Sequence, residues 1–253
     1  MIRQDSPLPP CHGIIPARWA STRFPGKPLA DINGRPMIWH VHASASRCNL
    51  LSSVTVATDD QRIAEAAEQY GIECILTGTA HESGTDRVKE AADALGLAGD
   101  CIVVNIQGDE PLLDPAMLDK LVEPFTSHHI EATTLVYEID EASAANPDRV
   151  KAVFGVDGNA LYFSRSPIPH YREKTASPVY YGHIGLYAFR TSTLDRFVSL
   201  PAGRLETIEK LEQLRLLENG IPLHIRVVES GSIGVDRPED LDTVLAILKR
   251  NSL

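Results

Sequence analysis

Gly13-Ile14-Ile15-Pro16, continuing as Ala17-Arg18-Trp19-Ala20-Ser21-Thr22-Arg23-Phe24-Pro25-Gly26-Lys27-Pro28-Leu29, reads as a short apolar strand that runs directly into a basic connection. Strands buried inside a parallel sheet are apolar on both faces, and in a wound sheet ligands gather beyond the carboxyl ends of the strands. This connection therefore leaves the sheet where a ligand belongs. Its three cations, Arg18, Arg23 and Lys27, stand five and four residues apart. Arginine offers phosphate oxygens a planar fork and lysine a compact charge, so the set suits a triphosphate better than a single carboxylate. The stretch matches neither GxGxxG nor GxxxxGKS/T, which disfavours a Rossmann dinucleotide site and a Walker ATPase. A solvated basic loop is the plain alternative.

Outward from this point, strand-like and helix-like segments alternate to the end of the chain, without internal repeats or low-complexity tracts. Strands rich in Ile and Val are expected at Gly13–Pro16, Ser53–Thr58, Glu73–Leu76, Cys101–Ile106, Ala132–Tyr137, Val150–Val156, His183–Phe189 and Leu223–Val228. Helical spacing is found at Pro36–Arg47, Asp60–Tyr70, Thr85–Leu95, Pro115–Ser127, Glu206–Asn219 and Pro238–Arg250. Asp60 is placed to cap the second helix and Gly71 to end it, while Pro36, Pro115 and Pro238 sit where a first-turn proline is tolerated. One compact α/β unit over residues 1–253 is the simplest reading.

The 253 residues allow a substantial core, and 43% hydrophobic with 23% charged residues is the balance of a globular protein. The net charge of −10 argues against a chain that coats nucleic acid or an anionic membrane. The charge is uneven: residues 1–50 hold six basic side chains against two acids. An acidic chain that gathers cations near one loop suits a small anion. Cys11, Cys48, Cys74 and Cys101 show neither zinc-ligand nor redox spacing and read as free thiols. No apolar run approaches the ~18 residues of a membrane helix, and no leader precedes the first strand, so a cytoplasmic location is expected.

Two further segments bear on chemistry. In Ile102-Val103-Val104-Asn105-Ile106-Gln107-Gly108-Asp109-Glu110-Pro111 a buried strand runs into an acid, which puts Asp109 at the same sheet edge as the cationic loop. Gly234-Val235-Asp236-Arg237-Pro238 holds a second loop acid before the last helix. Each alone is commonly a turn former or helix cap. Together they suit Mg²⁺ beside a nucleotide, which needs only one or two protein carboxylates because substrate oxygens and water complete its shell.

The segments Ile14–Ile38, VATDD at 56–60, SGTDR at 83–87, VNIQGDEP at 104–111, ALYFSR at 160–165, GHIGLYAFR at 182–190, Ile208–Arg215 and GVDRPEDL at 234–241 occur in this order. This series resembles the 3-deoxy-manno-octulosonate (Kdo) cytidylyltransferase family, the CMP-Kdo synthetases, over roughly residues 13–245. N-acylneuraminate cytidylyltransferases are the nearest competitor. The resemblance implies an α/β fold, a three-layer αβα sandwich on a mostly parallel, Rossmann-like nucleotidyltransferase sheet. It also implies a smaller sugar-binding and dimerisation lobe from about residues 130–210, and a cytoplasmic homodimer that binds neither nucleic acid nor membrane. The implied reaction activates Kdo with CTP for lipopolysaccharide biosynthesis, giving CMP-Kdo and pyrophosphate. By the same resemblance, Arg18, Arg23 and Lys27 bind the CTP phosphates, and Ser83, Thr85 and Arg87 lie near the nucleoside. Asp109 and Asp236 hold Mg²⁺ and, with Lys27, form the catalytic set. Gln107, Arg165, His183, Tyr187, Glu212 and Gln213 line the sugar-acid pocket.

Plainer roles exist for several of these. His183 and Tyr187, four apart on one strand face, suit a core; Glu212 and Gln213 lie in an amphipathic helix; Ser83 and Thr85 suit a helix cap. The sequence departs from the family at Ala80, where members often carry an acid before the His81 position, and across Pro169–Pro178. Both bear on substrate choice, and an 8-amino analogue of the sugar stays open. A nucleotide-sensing module without catalysis would not need both acids. A glycosyltransferase would normally mark its metal with a DxD pair, whereas Asp109 is followed by Glu110 and Pro111.

Overall fold

The computed structural model describes residues 7–20, 23–81, 83–173 and 178–251. The chain forms two compact units. One comprises Pro10–Asp119 and the segment that begins at Ser232; the other comprises Lys120–Gly231 with the described residues up to Pro9.

The first unit begins with β1 (Cys11–Ala17), in which Cys11, Ile14 and Ile15 are fully buried. Asp31–Ile32 (β2) and Arg35–Pro36 (β3) form a small antiparallel hairpin across Asn33 and Gly34, both at positive φ. The Asn-Gly pair is the signal for such a two-residue turn, and the sequence reading passed over it. Helix α1 (Met37–Ala45) follows, with Pro36 as its N-cap residue. Strand β4 (Leu51–Thr58), helix α2 (Gln61–Gln69), strand β5 (Cys74–Leu76), helix α3 (Gly84–Ala94) and strand β6 (Ile102–Asn105) then alternate. Parallel pairing in the order β6-β1-β4-β5 places the carboxyl ends together, with Ala17 opposite Thr58 and Ile14 opposite Asn105. All four residues of β6 are buried, as a strand covered on both faces requires. Asp60 caps α2 by accepting from the Arg62 amide, and Gly71 at φ 67 closes it, both as expected. Helix α4 (Pro115–Val122) has its proline in the first turn and tightens into a 3-10 turn at Glu123–Thr126.

The second unit pairs β7 (Ala132–Ile139) antiparallel to the longest strand. After the short helix α5 (Glu141–Ala144), β8 (Lys151–Phe154) and β9 (Ala160–Ser164) form a hairpin, and that longest strand, β10 (Tyr180–Arg190), pairs with both β7 and β8. Helices α6 (Thr191–Ser199), α7 (Arg204–Glu209) and α8 (Leu214–Glu218) lead to β11 (Leu223–Val228), which lies parallel to β7. The chain then returns to the first unit and ends in α9 (Asp240–Asn251), two residues beyond Pro238. The class is the expected α/β fold with mostly parallel strands in the first unit.

Two departures have clear causes. The single helix expected over Glu206–Asn219 is broken because Lys210 adopts the left-handed conformation, φ 55 and ψ 48. The strand expected at His183–Phe189 carries a bulge between Ile184 and Tyr187. Thr134 fills it, with its hydroxyl 2.8 Å from the Leu186 carbonyl and 2.9 Å from His183 Nε2. Residues four apart in a straight strand lie about 13 Å apart, yet the rings of His183 and Tyr187 are 5.5 Å apart. None of the four cysteines is in a disulfide; Cys11 and Cys48 are buried, whereas Cys74 and Cys101 are half-buried.

Candidate active site

The carboxyl ends of β1 and β6 frame a pocket in the first unit. Arg18, Arg23, Lys27, Ser83, Arg87, Gln107, Asp109 and Asp236 all line it, with Pro16, His81, Gly84 and Gly108 between them. Lys27 follows Gly26, whose φ of 71 turns the connection into a short 3-10 turn at Lys27–Leu29. The Lys27 ammonium donates to Asp109 Oδ2 at 2.7 Å and to the Val235 carbonyl at 2.8 Å, and lies 3.9 Å from Asp236 Oδ1. Arg23 reaches Asp236 through both terminal nitrogens, at 3.1 and 3.2 Å. Two acids 127 positions apart thus converge on one ammonium.

The backbone makes this convergence rigid. The Val235 amide donates to the Asp109 carbonyl at 2.8 Å, and a Cβ on Gly108 would stand 2.8 Å from the Pro16 carbonyl oxygen. Glu110 is buried, and burial first, then the neighbouring Asp109 charge, pushes its carboxyl up to about 7, while a hydrogen bond with Ser232 acts in the other direction. Sequence reasoning gave Glu110 and Gly108 no role.

On the opposite wall, Ser83 caps α3 and forms a capping box with Asp86. Arg87 is almost wholly buried; its guanidinium donates to Asp59 Oδ2 at 2.7 Å, to the Thr77 hydroxyl and toward the Gly78 carbonyl at 3.4 Å. Thr85 is buried 3.3 Å from Asn105 Nδ2 and does not line the pocket. His81, which the sequence reading mentioned only as a neighbour of Ala80, lines the pocket and pairs with Glu90, whose oxygens also receive the Gly78 amide. Its signal was its place two residues before the α3 cap.

The donor set fits a hard divalent cation. Asp109 and Asp236 offer only oxygen, are 31% and 55% exposed, and already share the Lys27 ammonium, with Arg23 also on Asp236. Among the described residues no cluster of three or more His, Cys, Asp or Glu could hold a metal, so substrate oxygens and water would complete the shell.

Of the six residues expected to line a sugar pocket, only Gln107 stands in this unit. Within the other unit, Gln213 Nε2 lies 3.5 Å from His183 Nδ1, and Phe163 packs edge-on against the His183 ring. Burial pushes the His183 imidazole down to about 3, so it is neutral; burial first, then the Glu212 charge, pushes the Tyr187 phenol well up. Arg165 donates to the carbonyls of Glu209 at 2.7 Å, Pro147 at 3.0 Å and Lys210 at 3.4 Å. The bonds to Glu209 and Lys210 satisfy carbonyls at the break between α7 and α8. The Pro169–Pro178 stretch lies partly outside the described residues.

Comparison with known proteins agrees with this chemistry. Residues 12–227 match the cytidylyltransferase family. A 3-deoxy-manno-octulosonate cytidylyltransferase of Nitratidesulfovibrio vulgaris (strain DP4) is 55% identical over 95% of this chain and 97% of its own length. An 8-amino-3,8-dideoxy-manno-octulosonate cytidylyltransferase of Shewanella amazonensis is 48% identical over 90% of this chain and 94% of its own. The solved structure of a CMP:2-keto-3-deoxy-manno-octonic acid synthetase complexed with CTP superposes with a TM-score of 0.90 at 40% identity, covering 96% of this chain and 99% of that one. By fold, by site chemistry and by sequence, the chain belongs to the cytidylyltransferase family of nucleotidyltransferases.

Proposed function

We propose that the protein transfers the cytidylyl group of CTP to 3-deoxy-manno-octulosonate, giving the CMP-linked sugar acid and pyrophosphate. The observation that carries this reading is the convergence of Arg18, Arg23 and Lys27 with Asp109 and Asp236 in one pocket. In the reaction the anomeric hydroxyl oxygen of the sugar bonds to the α-phosphorus, and the bond from that phosphorus to the bridging oxygen breaks. The hydroxyl loses its proton and pyrophosphate leaves. No protein nucleophile is needed, so the work is positioning and charge stabilisation.

Lys27, Arg18 and Arg23 neutralise the departing pyrophosphate, and Ser83 and Arg87 orient the nucleoside side. Asp109 and Asp236 would hold Mg²⁺, which when bound polarises phosphate oxygens as a Lewis acid. His183, Tyr187, Glu212 and Gln213 receive the sugar acid, and Arg165 supports the Glu209–Lys210 turn that precedes the last two. The protein works as a cytoplasmic homodimer. The dimer is supported by exposed apolar side chains on the Lys120–Gly231 unit, among them Val156, Leu161, Ile208 and Val227. The location is supported by four cysteines that carry no disulfide. No helix among the described residues is long and apolar enough to cross a membrane.

The 8-amino sugar is the second reading, favoured by the 48% identical relatives from Shewanella. Supplying CTP and Mg²⁺ with each sugar acid in turn, and measuring pyrophosphate release, separates the two. Faster release with Kdo supports the first reading; release only with the 8-amino acid replaces it.

A further inference from the structure

The VATDD segment ends β4 beside the pocket, yet the proposed chemistry leaves both of its acids without a task. Asp60 accepts Arg62 Nε at 2.9 Å and Nη2 at 2.6 Å, a two-pronged contact that fixes the plane of the guanidinium. That plane lies over the indole of Trp19, with Cζ 3.4 Å from the ring centroid. Trp19 belongs to the basic connection, and its ring also rests on Gly26: a Cβ there would be 2.9 Å from the indole, and the Gly26 amide donates to the Trp19 carbonyl at 3.1 Å. Lys27 is the next residue. Asp59 meanwhile receives Nη2 of the buried, pocket-lining Arg87 at 2.7 Å. The Asp59-Asp60 dipeptide thus holds Arg87 with one carboxylate and Arg62 with the other.

We infer that Asp59 and Asp60 are positioning residues for CTP binding: Asp60, acting through Arg62 and Trp19, sets the basic connection, and Asp59 sets Arg87. A purely local helix-capping role accounts for the Asp60 contact with the Arg62 amide. It does not account for the guanidinium lying over a residue outside the helix. The inference rests on the CTP reading above and deepens it.

The test uses the full chain with Trp39→Phe, so that Trp19, the other of two tryptophans, is the sole indole. CTP binding is measured by calorimetry and exposure of the indole by iodide quenching. Asp60→Asn keeps an N-cap and Arg62→Met keeps the helix. Each is expected to raise quenching, leave the melting temperature in place, and weaken CTP roughly fivefold, the scale of an exposed cation–π contact. Trp19→Phe retains binding where Trp19→Ala loses it. Asp59→Asn weakens CTP to a similar degree with quenching at the parent value. Failure of the parent chain to bind CTP overturns the functional reading itself. With the parent binding, unchanged quenching in Arg62→Met overturns the stack, and unchanged CTP affinity in Asp60→Asn or Asp59→Asn overturns the corresponding positioning role.

Discussion

At the scale of single residues, Lys27 is a side chain with two loads. Its ammonium joins Asp109, the Val235 carbonyl and the edge of Asp236 in one cluster, and in the proposed reaction it also faces the leaving phosphates. Lys27→Ala is expected to cost about 3 kcal/mol of transition-state stabilisation, or about 150-fold in kcat/KM. Initial rates of pyrophosphate release check it, and a loss below threefold would refute the role. His183 supports a prediction about pH. Its imidazole titrates at about 3 when folded, against 6.5 ordinarily. Between those values the unfolded chain takes up a proton that the folded one refuses. Stability therefore falls as pH drops through that window, by up to ~1.4 kcal/mol per unit. His183→Gln should flatten that slope in urea titrations from pH 6.5 to 4; identical slopes would show that His183 is not held neutral by burial.

At the scale of elements, the tip of β6 meets the tip of β1 at Gly108. A methyl group there would press on the Pro16 carbonyl, which is backbone and cannot swing away. Gly108→Ala is expected to displace Asp109 and lower kcat/KM by roughly tenfold or more, on the scale of an ångström-sized misplacement, while circular dichroism stays that of the parent. Full activity would mean that the loop shifts without consequence. The core of the sheet was legible because Ile14-Ile15 in β1, Val54–Ala57 in β4 and Ile102–Val104 in β6 are continuous apolar or β-branched runs, the pattern that burial on both faces demands, while β11 alternates buried Leu223 and Ile225 with His224 and Arg226. Other elements were hidden for physical reasons. Helix α6 buries only Thr191, Thr193, Leu194 and Phe197, a weak apolar stripe beside polar neighbours. β9 is only five residues long, and its run Ala160-Leu161-Tyr162-Phe163 has no apolar-polar alternation to mark it as a strand. The left-handed Lys210 is held by tertiary contacts around Arg165, and the bulge that joins His183 to Tyr187 depends on Thr134 from another strand. Local periodicity reports neither. The pocket was legible as three cations and two acids because strand ends converge by rule. Gly108, Glu110 and His81 were not, because their roles lie in a close approach, a burial and a lining position that spacing does not encode.

For the whole molecule, the proposed dimer directs attention to the exposed Leu161 and Ile208, 66% and 65% accessible. Sedimentation of the parent is expected at twice the chain mass, with Leu161→Glu and Ile208→Glu shifting the population to monomer. A parent that sediments as a monomer at micromolar concentration would remove the dimer from the account. The connectivity has one more effect. The first unit is assembled from both ends of the sequence, Pro10–Asp119 and the stretch from Ser232 onward. In the direction of synthesis Lys27 and Asp109 come first, and Asp236 follows Asp109 by 127 positions. During translation the lysine therefore meets its first acid long before its second, and a product truncated at Gly231 carries the cationic connection without the partner that completes it.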